Sequence, residues 1–209
     1  MTTVQSFTFN PFQENTYIVY DDTKECVIID PGCSMGGERR QLTDFIEKNQ
    51  LLPVRLLNTH CHIDHVMGNA FVASKYNLGL EIHEKDLFIL ENLQNVGKMY
   101  GIPVEESPLP SRYIQDDEVI RFGNTEFQVL FTPGHSPGSV SFYCEAAQFV
   151  LSGDVLFHRG VGRTDLPGGD TKTLFKSIRE KLFPLGDAVK VYSGHGVVTT
   201  IGVEKGYLK

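Results

Sequence analysis

The chain has 209 residues, 41% of them apolar and 22% charged, with a net charge of −7 and an isoelectric point of about 5.5. Its lysines and arginines are scattered, which argues against a nucleic-acid face, since that needs a positive patch, and against an anionic membrane surface. No apolar run approaches the length of a membrane span, and the N-terminus lacks the basic and apolar regions of a signal peptide.

At this length a single domain over residues 1–209 with one large core is expected. Strands are expected at Val4 to Phe9, Tyr17 to Tyr20 and Cys26 to Ile29, the third closed by the turn residues Asp30-Pro31-Gly32. Glu38 to Asn49 reads as an amphipathic helix with Leu42, Phe45 and Ile46 on one face. Pro53 opens a buried strand, Val54 to Leu57. Helices follow at Gly68 to Tyr76 and, after a short strand, at Glu84 to Val96. Gly97 to Arg112 reads as a long connection, either a substrate-covering loop or a surface linker. Strands resume at Val119 to Phe122, Glu126 to Phe131, Val140 to Tyr143 and Phe149 to Leu151. Asp170-Thr171 starts a helix running to about Leu182, and Val189 to Tyr192 is the final strand. Hairpins beside helices that must cover outer faces fit an α/β (α+β) arrangement of two packed sheets with helices outside.

The chemistry concentrates at Thr59-His60-Cys61-His62-Ile63-Asp64-His65, which holds three of the chain's seven histidines. Imidazole and carboxylate are ligands for zinc, iron or manganese, and this spacing lets one loop aim His60, His62, Asp64 and His65 at one point. Three further strand-like runs end in glycine-containing turns that carry His135, Asp154 and His195. Loops braced by a sheet are where function usually sits. Alone, His135 or His195 would as readily be a satisfied core or surface histidine. Together with the cluster they form one pattern, because seven such groups need a partner if buried. His83 reads as structural and His158 as a solvated loop residue. The four cysteines, Cys26, Cys33, Cys61 and Cys144, show no disulfide framework, so reduced thiols in a cytoplasmic protein are expected. Cys61 reads as a small bystander between two ligands.

His-x-His-x-Asp-His followed by single His, Asp and His residues resembles the motif set of the metallo-β-lactamase superfamily along nearly the whole chain. The resemblance is nearest to short type II glyoxalases, the hydroxyacylglutathione hydrolases. It is carried also by Asn15-Thr16-Tyr17, Ile29-Asp30-Pro31-Gly32, Thr132-Pro133-Gly134-His135, Ser152-Gly153-Asp154 and Gly162-Arg163-Thr164-Asp165. It implies an αββα sandwich with the metal site at the sheet edge. It implies two divalent metal ions, zinc first, with iron or manganese accepted by the same donors. His60, His62 and His135 would hold one ion, Asp64, His65 and His195 the other, and Asp154 would bridge them. The implied reaction is hydrolysis of a small thioester, S-D-lactoylglutathione or a related acyl thioester, by metal-bound hydroxide, with Asp64 orienting the nucleophile and accepting its proton.

The departures bear on the carrier. The chain ends fourteen residues after His195, so the C-terminal helical glutathione-binding domain of long members is not expected. Gly196 and Val197 stand where those members have Glu-Tyr. Arg163 falls where they have a lysine, and Asp165 near where they have a tyrosine. Arg163 is therefore either a contact for an anionic substrate tail or a loop-shaping partner of Asp165 or Asp170. The alternative function is a mononuclear iron persulfide dioxygenase on the same scaffold, using His60, His135 and Asp154. A nuclease is disfavoured by the missing basic surface, and a non-catalytic binding protein by the complete ligand set.

Overall fold

A strand with apolar side chains on both faces needs a packed layer on each side, and the central strands here have them. In the computed structural model, which describes residues 1–208, β2 (Glu14–Tyr20) sends Tyr17 and Val19 into one apolar layer and Ile18 into another. β3 (Glu25–Ile29) splits Val27 and Ile29 from Cys26 and Ile28 in the same way, and β4 (Leu52–Leu57) splits Leu57 from Leu56. With β1 (Thr3–Phe9), β5 (Leu80–Ile82) and β6 (Pro110–Tyr113) they form one sheet in chain order, antiparallel through β3 and parallel from there on.

The second sheet repeats the device. It contains β7 (Val119–Phe122), β8 (Thr125–Phe131), β9 (Val140–Cys144), β10 (Phe149–Gly153), β13 (Lys190–Ser193) and β14 (Thr199–Thr200), ordered β14-β13-β10-β9-β8-β7. Phe127, Val129, Phe142, Phe149 and Leu151 face the first sheet, while Leu130 and Val150 face outward. The hairpin β11 (Leu156–Phe157) and β12 (Gly160–Val161) joins neither ladder and is tied to the second sheet by Ser152 and Ser193, whose hydroxyls donate to the Leu156 carbonyl at 3.1 and 2.7 Å.

Helices close the outer layers. α1 (Gly36–Lys48) buries Leu42 and Ile46, four residues apart on one face, over the first sheet. Its first turn is held by Glu38, whose carboxylate accepts from the backbone N–H groups of Asn10, Ser34 and Met35 at 2.6, 2.7 and 3.0 Å. α2 (Ile63–Val66) and α3 (Asn69–Tyr76) cover the same sheet. α6 (Thr171–Ser177) packs Leu174 on the second, its start capped by Asp170, which accepts from the Thr173 N–H at 2.7 Å. The architecture is the expected αββα sandwich.

Three local features depart from the sequence reading. The helix expected over Glu84 to Val96 is divided at Asn92 into α4 (Leu87–Glu91) and α5 (Leu93–Tyr100). α5 continues past Gly97, where Val104 and the Ile102 carbonyl lie too close for a Cβ, and stops at Gly101, whose φ of +67° suits a left-handed cap. The connection is thus shorter than Gly97 to Arg112, and Arg112 belongs to β6. It is tied down by a 2.9 Å Arg39–Glu105 ion pair and by Ser107, which accepts from Asn69 at 3.1 Å. Beyond the last expected strand, α7 (Ile201–Tyr207) caps the second sheet, its N-cap Thr200 accepting from the Val203 N–H at 3.4 Å.

Candidate metal centre

β8, β10 and β13 run the same way within the second sheet, because β8 and β10 are both antiparallel to β9 and β13 is parallel to β10, and β4 brings the first sheet to the same site. The loops leaving their C-terminal ends carry His60, His135, Asp154 and His195. The two sheets are joined at this edge. Asn15 donates its backbone N–H to the Gly194 carbonyl at 2.7 Å and its side-chain amide to the Ser193 and Gly196 carbonyls at 3.1 and 2.9 Å. Tyr17 adds a hydroxyl donation to the Ser193 carbonyl at 2.6 Å. The Asn15-Thr16-Tyr17 motif is therefore the clamp that sets the His195 loop against the first sheet.

All seven sequence-predicted donors meet here. Donor atoms of His60, His62 and His135 lie within 4.8 Å of one another, as do those of Asp64, His65 and His195. Asp154 stands between the sets, with Oδ2 3.5 Å from His135 Nε2 and 3.6 Å from His195 Nε2, and Oδ1 3.4 Å from His65 Nε2. Asp64 Oδ2 lies 3.1 Å from His195 Nε2 and 3.5 Å from His65 Nε2. Register irregularity at the end of β10 turns Asp154 into the site, a common use of a bulge. Gly194 makes room for it, since a Cβ there would overlap Asp154 Oδ1.

The hydrogen bonds behind the imidazoles determine which nitrogen faces inward. A carbonyl only accepts, so His135 Nδ1–H donates to the Arg163 carbonyl at 2.7 Å and His195 Nδ1–H to the Gln13 carbonyl at 3.2 Å. His65 Nδ1–H donates to Asp30 Oδ2 at 3.1 Å. The Thr59 hydroxyl donates to the same oxygen at 2.6 Å, which leaves its lone pair for His60 Nδ1–H at 3.0 Å. Each of these four rings therefore presents an Nε2 lone pair to the centre. His62 differs, turning Nδ1 toward His135 Nε2 at 2.8 Å.

Without a cation His62 Nδ1–H donates to that His135 lone pair; with one, both nitrogens can turn their lone pairs to it. Among the described residues, His60 Nε2, His65 Nε2 and Asp154 Oδ1 are buried with no hydrogen-bond partner, although buried polar atoms are normally satisfied. A divalent cation would satisfy all of them, so the donor set fits a metal site. Asp30 does not join it, because its carboxylate is occupied from behind by Thr59 and His65.

The charges within the cluster compete. Burial, followed by the neighbouring imidazoles, pushes His60 well below the usual histidine range, and burial with His135 pushes His62 down to about 3. Burial would also lower His65, but the carboxylates of Asp64 and Asp154 outweigh it and raise His65 well above that range. Burial would raise Asp154, yet His65, His135 and His195 hold it below the carboxylate range. Proton and metal would thus compete for the same lone pairs.

A second buried carboxylate, Asp86, braces the loops from outside. It accepts from the Cys61 N–H at 2.8 Å, the Ser136 hydroxyl at 2.9 Å and the Gly138 N–H at 2.6 Å. This ties the loop of His60 and His62 to the loop of His135. Burial raises its carboxyl to about 6. Sequence reasoning missed Asp30, Thr59 and Asp86 in these roles. Asp30 reads as a turn residue and Asp86 as one of three polar residues opening a helix, and no local pattern distinguishes them.

The donors open into a cavity of about 430 Å³, lined also by Phe12, by α4 and α5, and by Arg163. None of the residues of the connection after α5 lines it, so cover is supplied by the helices instead. Arg163 pairs in bidentate fashion with Asp165, at 2.7 Å for each bond, on the exposed side of the cavity. His83 stacks on Phe131 at 4.4 Å between centroids and accepts from the Lys85 N–H. His158 is partly exposed, 3.6 Å from Glu204.

The chain is similar to known proteins in sequence and in fold. Hydroxyacylglutathione hydrolase GloC of Haemophilus influenzae is 42% identical over 93% of this chain and 91% of its own length. A crystal structure of TTHA1623 in a di-iron-bound form superposes with a TM-score of 0.88 at 38% identity, covering 98% of both chains. That of the BLEG-1 B3 metallo-beta-lactamase superposes at 0.89 with 36% identity, covering 98% of this chain and 97% of its own. A family model matches residues 9–195, from the end of β1 to the last of the clustered histidines, and the chain belongs to the metallo-beta-lactamase superfamily.

Proposed function

We propose that the protein is a binuclear metal-dependent hydrolase of small thioesters, S-D-lactoylglutathione or a related acyl thioester. The observation that carries this reading is the pair of donor sets sharing Asp154, with inward atoms orphaned among the described residues. His60, His62 and His135 would hold one ion and Asp64, His65 and His195 the other, with Asp154 between them. Zinc suits such nitrogen and carboxylate donors, and iron is supported as a competitor by the di-iron form of TTHA1623. Bound ions would supply Lewis acidity, lowering the pKa of water to about 7 and polarising a carbonyl.

The chain's own groups do the rest. Asp30, through His65 and Thr59, and the Arg163 and Gln13 carbonyls fix the tautomers, as partners behind metal-bound histidines do. Asp64 Oδ2, next to His195 Nε2, orients the attacking water and takes up its proton. The leaving thiolate needs little acid assistance, and no further acid is assigned to it. Among the described residues Arg163 is the one lysine or arginine lining the cavity, and it is the group to which an anionic end of the substrate would turn, in exchange for Asp165.

Thioester hydrolysis is supported by the likeness to GloC. Oxidation at a single iron on His60, His135 and Asp154 would leave His62, Asp64, His65 and His195 without a metal to hold. The test is elemental analysis of protein purified without added metal, paired with an S-D-lactoylglutathione assay. Close to two metals per chain with turnover is expected. One iron per chain, no turnover and oxygen uptake with glutathione persulfide would overturn the reading.

A further inference from the structure

The cavity beside the donor cluster is poor in charge apart from the cluster itself. Phe88 of α4 and Leu93, Val96 and Tyr100 of α5 line it, joined by Phe12, whose ring meets Tyr100 edge-on at 5.5 Å. Leu93, Val96 and Tyr100 lie at helical spacing, so one stripe of α5 faces the opening. Phe88 and Tyr100 remain 48% and 50% exposed, an apolar surface presented to the entrance and left uncovered by the chain. Among the described residues the only lysine or arginine in the lining is Arg163, already held by both oxygens of Asp165. A carrier with two carboxylates, such as glutathione, would bring two negative charges where Arg163, once released from Asp165, could answer only one, and a poorly paired buried charge is costly.

We propose that the cavity selects an apolar acyl group, aliphatic or aromatic, seated against Phe12, Phe88 and the α5 stripe, and that the carrier thiol is recognised weakly. This rests on the thioester reading above and narrows its substrate class. In the reaction, a water oxygen bonds to the acyl carbon and the carbon–sulfur bond breaks. The sulfur leaves as thiolate and takes one proton of the water, and the products are the carboxylic acid and the free thiol. The wall contributes at the binding stage. Each methylene it buries is worth a factor of about four in affinity.

The experiment uses the metal-loaded protein and N-acetylcysteamine thioesters with acetyl, D-lactoyl and hexanoyl groups. It is paired with calorimetric titration of hexanoate and lactate, which reads the cavity without turnover. The expected result is a kcat/KM for hexanoyl at least about tenfold above acetyl and D-lactoyl, with hexanoate binding more tightly than lactate. Phe88→Ser and, separately, Tyr100→Ser, both at half-exposed positions that permit folding, should shrink that ratio and weaken hexanoate alone. If no thioester turns over but hexanoate still binds and the variants weaken it, the reaction class falls and the apolar site stands. Equal or better turnover of the D-lactoyl compound, or no preference for hexanoate over lactate, would overturn the proposal.

Discussion

The two sides of the cavity are built on opposite principles. On the donor side, the outward ring nitrogens of His60, His65, His135 and His195 are each engaged by a second group, and two of those groups, Thr59 and Asp30, hold each other. Asp30 alone accepts from the Thr59 N–H and hydroxyl and from His65. On the helical side, Phe12, Phe88 and Tyr100 touch the cavity through rings that make no hydrogen bonds to fix them. The first side rests on strand ends of two sheets and the second on short helices divided at Asn92. The difference teaches that orientation and capacity are separate properties of this site. Directional bonds hold donors to within the tolerance that metal binding needs, whereas apolar contact tolerates variation in what is bound.

The sharpest way to break the comparison is Asp64→Ala. It removes an inward donor and no part of the supporting network, so turnover should fall by about 10³-fold while the circular dichroism spectrum and melting curve stay close to wild type. Loss of fold in step with activity would mean that the donor side is not separable from the frame. Asp30→Ala attacks the support instead of the donors. Its removal frees His65 and, through Thr59, His60, and metal affinity measured by chelator competition should drop by about 10–100-fold. Unchanged affinity would show that the rings are held by packing alone.

Asp86→Asn sharpens the same point through pH. Burial raises the folded-state carboxyl from 3.8 to about 6, so the folded protein binds this proton more tightly than the unfolded chain does. Stability from that proton is complete below 3.8 and is lost as pH rises through about 6. Denaturant unfolding of wild type should therefore show a fall across this window that Asp86→Asn lacks. Parallel curves for the two proteins would remove Asp86 as its source. The smallest effect is expected at Arg163→Gln on the exposed rim. Exposed ion pairs contribute little to stability, so the melting temperature should not move. KM should rise only for a thioester whose carrier bears a carboxylate, and an equal rise for a neutral carrier would assign Arg163 to loop shape alone.

What the chain determined by itself was the frame and the identity of the donors. Apolar residues at both parities of β2, β3, β8 and β10 fit a layer on each face, and the motif resemblance is what implied the αββα order. Donor residue types at the ends of strand-like runs are legible because turns after strands are local. The tertiary structure alone decided the groups that orient those donors. Asp30 reaches Thr59 and His65, and Asp86 reaches Ser136 and Gly138, across separations of 29 to 52 residues. Hydrogen bonding over such distances has no period in the sequence. The apolar wall was equally hidden. Gly97 reads as the start of a loop, but the close approach of Ile102 and Val104 keeps it inside α5, so Tyr100 arrives at the cavity on a helix. Local residue types specify which chemistry is available. Packing specifies which atoms face it and what lies beside it.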